Sequence, residues 1–365
     1  MTIPPVIDTP DILVDLDILD RNIARMAETV RAKGLTLRPN AKTHKIPEIA
    51  DRQLAAGAAG LTVATIGEAE VFAAAGVTDL FIAYPLWVSP GKAERLRRLA
   101  DTVTVAVGVD SAEGAAMLGA GLGPAARNVS VLVEIDSGHH RSGVRPQTAA
   151  DVAKAASDAG LKVAGVFTFP GHSYAPGMPV EAAAQEQEAL RQASDALAAA
   201  GHNATVRSGG STPTALLTES SVATEVRPGV YVFGDAQQLE LGRCGVEDIA
   251  LTVAATVVSR HASTPGTPER FIIDAGSKIL GSDRPAWATG YGRLIDHPEA
   301  RITALSEHHA TVEWHGPGNR PALGDRLRVI PNHVCLAINL VDDVAVTSGG
   351  QLVHRWTVAA RGRNA

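Results

Sequence analysis

Residues 129–167 read VSVLVEIDSGHHRSGVRPQTAADVAKAASDAGLKVAGVF. Val129–Ile135 is a short run dominated by valine, leucine and isoleucine, the composition of a strand buried on both faces. Ala149–Ala159 has helical apolar spacing and ends at Gly160, a residue suited to the left-handed turn that stops a helix. Lys162–Phe167 returns to a strand pattern. Between the first strand and the helix lies the polar loop Ser137-Gly138-His139-His140-Arg141. Strand, loop, helix and next strand form one β/α unit.

The same unit recurs outward in both directions. The strand candidates are Thr36–Ala41, Leu61–Thr65, Asp79–Tyr84, Val103–Val109, Val129–Ile135, Lys162–Phe167, Ala204–Arg207 and Glu225–Phe233. Helical spacing marks Ile18–Ala32, Ile46–Ala56, Gly67–Ala75, Ser89–Ala100, Ala149–Ala159 and Val180–Ala200, several of them closed by Gly57, Gly76, Gly160 or Gly201. Eight alternations predict an α/β fold, a (β/α)8 TIM-type barrel. An open Rossmann-like sheet is the runner-up, and it lacks a G-x-G-x-x-G turn after the first strand.

Near Cys244 the pattern changes. Leu251–Val258, Arg270–Ile273, Arg301–Leu305, Ala310–Trp314, Arg326–Val329, Cys335–Leu340 and Val344–Thr347 read as strands, with turns such as Pro265-Gly266 and Pro317-Gly318-Asn319. A C-terminal all-β domain is expected. The opening strand Asp11–Leu16 can pair with it, so the expected division is residues 17–244 for the barrel and residues 1–16 plus 245–365 for the β domain.

Composition narrows the function. The chain has 365 residues, 45% of them hydrophobic, and a net charge of -6, which offers no basic footprint for nucleic acid or anionic membrane. No apolar run reaches the length of a membrane span, and Met1 to Pro10 show no secretory signal. Two cysteines, Cys244 and Cys335, make no disulfide framework. A soluble cytoplasmic enzyme is expected.

Barrel enzymes carry their chemistry at the C-terminal ends of the strands, often with a phosphate after strands seven and eight. Lys42 stands at the end of strand one, Arg141 after strand five, His172 after strand six, and Ser208-Gly209-Gly210-Ser211-Thr212 after strand seven. Gly229-Val230-Tyr231 lies in or near strand eight. Singly, such residues are more often structural: a strand-end lysine reaches for water and a Gly-Gly pair makes a turn. Together they offer small-residue donors for a phosphate and an amine that can condense with an aldehyde.

The segment Arg38-Pro39-Asn40-Ala41-Lys42 resembles the cofactor-lysine motif of the D-threonine aldolase and D-serine dehydratase family, which belongs to the alanine-racemase-like (fold type III) pyridoxal phosphate (PLP) enzymes. Lys42 matches the Schiff-base lysine and Lys45 does not. Val133–Asp136 leading into Arg141–Val144 is similar to the segment whose arginine approaches the pyridine nitrogen. Ser208–Thr212 looks like the phosphate loop, and Arg227–Tyr231, with Gly229 and Tyr231, like the second phosphate-side segment. Asp274–Lys278 matches a family signature, and Pro331–Cys335 the segment with two metal ligands, His333 and Cys335. Two departures stand out: Asn40 replaces the usual histidine, and Phe169-Pro170 stands where relatives often carry a polar side chain.

The His333-x-Cys335 spacing would put both side chains on one side of a strand. Imidazole with thiolate favours Zn2+ over Mn2+ or Mg2+. The resemblance implies a PLP- and metal-dependent lyase of a D-β-hydroxy amino acid, working as a homodimer. D-Serine dehydratase chemistry is preferred. D-Threonine aldolase or a related D-3-hydroxy amino acid aldolase is the alternative, with His172 a candidate acid/base. A racemase and a non-catalytic PLP-binding protein rank lower.

Overall fold

The computed structural model describes residues 3–265, 269–314 and 320–365. Gly266 and residues 317–319, on which two of the expected turns fall, lie outside the described residues, as do Met1 and Thr2. The chain divides into two compact units. One comprises the chain up to Ala24, Thr43–Glu48 and Val230–Arg361; the other comprises Arg25–Lys42, Ile49–Gly229 and Gly362–Ala365.

In the second unit, eight parallel strands pair in sequence: Leu61–Val63, Asp79–Pro85, Thr104–Val109, Val129–Ile135, Lys162–Thr168, Val206–Gly209, Glu225–Val226 and Thr36–Leu37. A parallel bridge from Asn40 to Thr62 joins the first strand of the chain order to the second, so the sheet curls into a closed barrel. The eight-strand expectation is met. Two strands are much shorter than expected, at Thr36–Leu37 and Glu225–Val226, although backbone bonds continue past them: Arg38 N donates to Val226 O and Asn40 N to Pro228 O, each at 3.0 Å, and side chains add to that seam. Arg38 clamps Asp79 through two nitrogens at 2.8 and 3.1 Å and reaches Glu225 at 2.7 Å.

The strands are buried on both faces, as a helix-covered parallel sheet requires. Phe81, Leu132 and Phe167 form a buried cluster, with the two rings edge to face at 5.0 Å. Burying each ring contributes on the order of 2–3 kcal/mol. Gly108 makes room for it: a Cβ there would stand 2.7 Å from Phe167 Cζ. Three of the intervening helices start at side-chain caps, Thr65, Ser89 and Ser111. Thr65 accepts from Glu68 N, and Ser89, just before Pro90, accepts from Lys92 N.

The first unit is a nine-stranded sheet. Six strands close on themselves, each antiparallel to the next: Leu251–His261, Arg270–Ile273, Ala310–Glu313, His297–Leu305, Gly292–Leu294 and Arg326–Pro331, which returns to the first. Asp11–Asp15 extends it antiparallel to Leu251–His261, then parallel to Asp343–Ser348, which pairs with Gln351–Thr357. Cys335–Leu340, expected as a strand, is not one. The strand ends at Pro331, and Val334–Ile338 is a short helix. No helix among the described residues is long and apolar enough to cross a membrane.

Candidate active site

Lys42 sits in the single turn Ala41–Thr43 just beyond the first barrel strand. Asn40 shapes that turn: its Oδ1 accepts the Lys42 N–H at 3.2 Å, a local side-chain turn that asparagine favours. Lys42 is half-buried, and its Nζ lies 5.8 Å from the centre of the Phe169 ring. The Arg141 guanidinium lies 5.1 Å from the same centre. His139 meets that ring edge-on at 5.7 Å. The barrel thus brings Lys42 and Arg141, a hundred residues apart in sequence, to one aromatic surface.

His172, in the turn Gly171–Ser173, places Nε2 2.8 Å from Gln185 Oε1. Gln185 Nε2 donates to Glu181 at 3.0 Å, which fixes the amide orientation, so His172 Nε2 is the donor. His172 Nδ1 is then an acceptor, buried and without a hydrogen-bond partner among the described residues. His139 is held below the usual histidine range, first by burial and then by Arg141 and His172.

In the loop after strand seven, the Ser211 hydroxyl lies 3.0 Å from Ser173 Oγ. The Ser208 hydroxyl is committed to Glu225 at 2.5 Å and to Arg227. Two amides of the loop already have acceptors: Gly210 N donates to Glu186 at 2.5 Å and Ser211 N to Thr214 Oγ1 at 2.9 Å. Thr212 is half-buried. Gly229 is half-buried at the end of the barrel unit. Tyr231 is buried in the turn Val230–Val232 of the other unit, where the strand expected to run to Phe233 has already ended at Val226.

In that other unit, His333 and Cys335 are not on a strand. His333 is the N-cap of Val334–Ile338 and Cys335 lies in its first turn. The fully buried Asp235 accepts the Val334 N–H at 3.4 Å, which holds this helix start from a hundred residues away. Burial pushes Asp235 up to about 6, against the pull of His333 and three backbone amides. The pair still meets, since the two side chains hydrogen-bond each other. Cys335 Sγ is 3.3 Å from the hydroxyl of Thr43. His333 Nδ1 lies 2.5 Å from Asp283 Oδ2. Burial works against the charged imidazole, but Cys335 and Asp283 outweigh it and hold His333 well above the usual histidine range.

Asp283 and Glu186 are candidate functional residues that motif reading passes over. Asp283 carries no local signal. Glu186 does: it falls on the buried stripe Ala182, Ala183, Ala189, Leu190, Ala193 and Leu197 of the helix Pro179–Ala199.

Both donor sets fit the groups they resemble. An amine that is half-buried and in no ion pair among the described residues, an arginine at the same aromatic ring and a hydroxyl-bearing glycine loop suit an aldehyde cofactor with a phosphate. An imidazole and a thiol in contact, with a carboxylate fixing the other ring nitrogen, suit a soft divalent metal. Among the described residues no three His, Cys, Asp or Glu side chains form a ready-made cage, so His333 and Cys335 are a two-donor set.

A parallel barrel bearing a mouth lysine, joined to an antiparallel β unit, defines an alanine-racemase-like PLP enzyme. The model of the alanine racemase N-terminal domain matches residues 14–237, and that of a serine dehydratase domain matches residues 250–347. The chain belongs to the D-threonine aldolase and D-serine dehydratase family, and it is a PLP-dependent lyase. It is 38% identical over 354 residues to D-threo-3-hydroxyaspartate dehydratase of Delftia sp. (strain HT23), covering 90% of this chain and 91% of that one. It is 32% identical over 364 residues to D-threonine aldolase of Arthrobacter sp, covering 98% and 93%. The structure of D-threonine aldolase from Filomicrobium marinum superposes with a TM-score of 0.87 at 31% identity, covering 98% and 96%. A cysteine-to-alanine variant of the Delftia dehydratase, in the metal-free form, superposes with a TM-score of 0.87 at 34% identity, covering 96% and 97%. A histidine-to-alanine variant, two positions earlier in that enzyme, has also been solved.

Proposed function

We propose that this lyase is a metal-dependent dehydratase of a D-3-hydroxy amino acid, converting D-serine to pyruvate and ammonia. The observation that carries the reading is the His333–Cys335 pair with Asp283 on the imidazole. Its His-x-Cys spacing is also the spacing of the replaced residues in the Delftia dehydratase variants.

PLP, when bound, supplies an electron sink for the pair left at Cα. Lys42 would hold the cofactor, and its Nζ would take the proton from Cα. Arg141, which shares the Phe169 ring with Lys42, would add a fixed positive charge to the cofactor site. The loop Ser208–Thr212, with Gly229, would receive the phosphate. His333 and Cys335 hold the metal, zinc before manganese or magnesium, and the metal's chemistry there is that of a Lewis acid for a hydroxyl leaving group. A D-threonine aldolase reading is kept by one observation: His172, its candidate acid/base, has no hydrogen-bond partner for Nδ1 among the described residues. The chain is proposed to work as a homodimer in the cytoplasm, where the thiols Cys244 and Cys335, neither in a disulfide, stay reduced.

Two assays test this. Borohydride reduction followed by peptide mapping should fix the cofactor on Lys42. The nearby Lys45 is buried, with Nζ 3.4 Å from Ala360 O, and should stay unlabelled. Product assays on D-serine, D-threonine and D-3-hydroxyaspartate, with zinc or manganese, should give keto acid. Aldehyde release from D-threonine without keto acid from any substrate would replace the dehydratase reading with the aldolase one. Light scattering should report a dimer.

A further inference from the structure

The helix Pro179–Ala199 sends one carboxylate into the barrel wall. Glu186 is fully buried. Its Oε1 accepts the Gly210 N–H at 2.5 Å, and its Oε2 accepts the Thr214 hydroxyl at 3.3 Å. Thr214 Oγ1 in turn accepts the Ser211 N–H at 2.9 Å and lies 3.2 Å from the Ser211 hydroxyl. One carboxylate therefore holds two consecutive amides of the loop, one directly and one through Thr214. The backbone is shaped around it. Gly210 has φ of 73°, and a Cβ on Gly209 would stand 2.5 Å from Glu186 Oε1.

Glu186 makes no contact that a fold alone would need a charge for. A leucine or alanine would fill the apolar stripe of the helix, as its neighbours do. Both of its oxygens instead go to the segment Gly210–Thr214. We propose that Glu186 is the positioning residue of the cofactor-phosphate loop, presetting Gly210 and Ser211 so that the loop meets the phosphate already ordered. This rests on the reading that Ser208–Thr212 is the phosphate segment.

A full negative charge beside a phosphate would oppose binding. Burial answers that objection by pushing Glu186 up to about 7, against the Gly210 N–H, Arg227 and Thr214, which favour the charged form. The neutral acid can do all the positioning. A glutamine should therefore replace it: its carbonyl oxygen accepts from Gly210 and its amide donates to Thr214. A leucine should not, because it leaves the Gly210 amide buried and unpaired.

The test is an equilibrium titration of the full-length apoprotein with PLP and with pyridoxal, which lacks the phosphate. In the wild type the phosphate should improve affinity strongly. Glu186→Gln should keep that preference within about threefold. Glu186→Leu should lower it by about tenfold or more, through PLP alone, with pyridoxal affinity unchanged. If Glu186→Leu does not fold, Thr214→Val removes the acceptor of the Ser211 amide and should lower the same preference by about threefold or more. A wild type that binds pyridoxal as well as PLP removes the phosphate-loop reading and this proposal with it. A strong wild-type preference that survives Glu186→Leu or Thr214→Val, or an equal loss for both ligands, overturns the proposal and leaves the loop reading standing.

Discussion

Asp283 Oδ2 stands 2.5 Å from His333 Nδ1 and so decides which nitrogen of that imidazole is offered outward. With Nδ1 turned to the carboxylate, Nε2 is the atom left for a metal. The two residues come from segments fifty positions apart, and Asn332, next to His333, donates to the Gly290 carbonyl at 2.7 Å and steadies the same loop.

Asp283→Asn keeps the shape but weakens the hold on the Nδ1 proton. Zinc affinity should fall by about tenfold or more, as for other carboxylates behind metal-binding histidines. Competition against a chromophoric chelator measures it. PLP affinity, read from the visible absorbance, should not move. Unchanged zinc affinity would remove Asp283 from the metal site.

Asn40 offers a second test. Its family counterpart is a histidine, yet here the side chain caps the turn that carries Lys42, while the Asn40 backbone N–H donates to the Pro228 carbonyl at 3.0 Å. Asn40→Ala leaves the Lys42 amide without its acceptor, costing about 1 kcal/mol and speeding cofactor loss. Asn40→Asp restores the acceptor and should recover the stability. Thermal midpoints and the cofactor off-rate check both. An Asn40→Ala protein equal to wild type in each would show that the turn needs no cap.

The barrel was legible because its signal is local. Each strand of a parallel sheet is a buried apolar run, and several of the helices end at a glycine, so Val129–Ile135 and Ala149–Ala159 announce themselves. Gln351–Thr357 does not, because most of its side chains face solvent and no apolar run marks it. The region after Pro331 misled for the opposite reason. Val334, Ala337 and Ile338 are buried and apolar, but what makes them helical is a remote acceptor, Asp235. The cofactor-site candidates could be named in sequence because a loop motif carries each one. Asp283 could not, since only the fold brings it to His333. Glu186 stands in a run that includes the exposed Glu181 and Glu188, and only its place in the apolar periodicity marks it as buried.

Cys335 sets the metal preference if the sulfur is a ligand. Cys335→Asp exchanges a soft donor for a hard oxygen. Zinc affinity should drop by about tenfold or more, while manganese affinity holds or rises, so the ratio of the two falls. Dialysis against mixed zinc and manganese, followed by elemental analysis, reads that ratio directly. A Cys335→Asp protein with the wild-type ratio would mean that the sulfur is not a ligand.

Glu186 should leave a signature in the pH dependence of stability. Its ordinary value is 4.5, and burial pushes it up to about 7 in the folded chain, with the Gly210 amide, Arg227 and Thr214 working against that rise. Between those two values the folded protein keeps a proton that the unfolded chain has released. The group's contribution is therefore fully present below about pH 4.5, is lost progressively as pH rises, and is gone above about pH 7. The whole span is on the order of 3 kcal/mol. Glu186→Gln cannot ionise and should escape the loss. Urea unfolding of the two apoproteins should show nearly equal stability near pH 4.5 and a growing advantage for Glu186→Gln up to about pH 7, constant beyond it. The cofactor is left out so that its own phosphate does not titrate in the same window. A difference that stays flat from pH 4.5 to 8 would mean that Glu186 is already ionised in the folded barrel, and the neutral acid would be lost as the partner of Gly210.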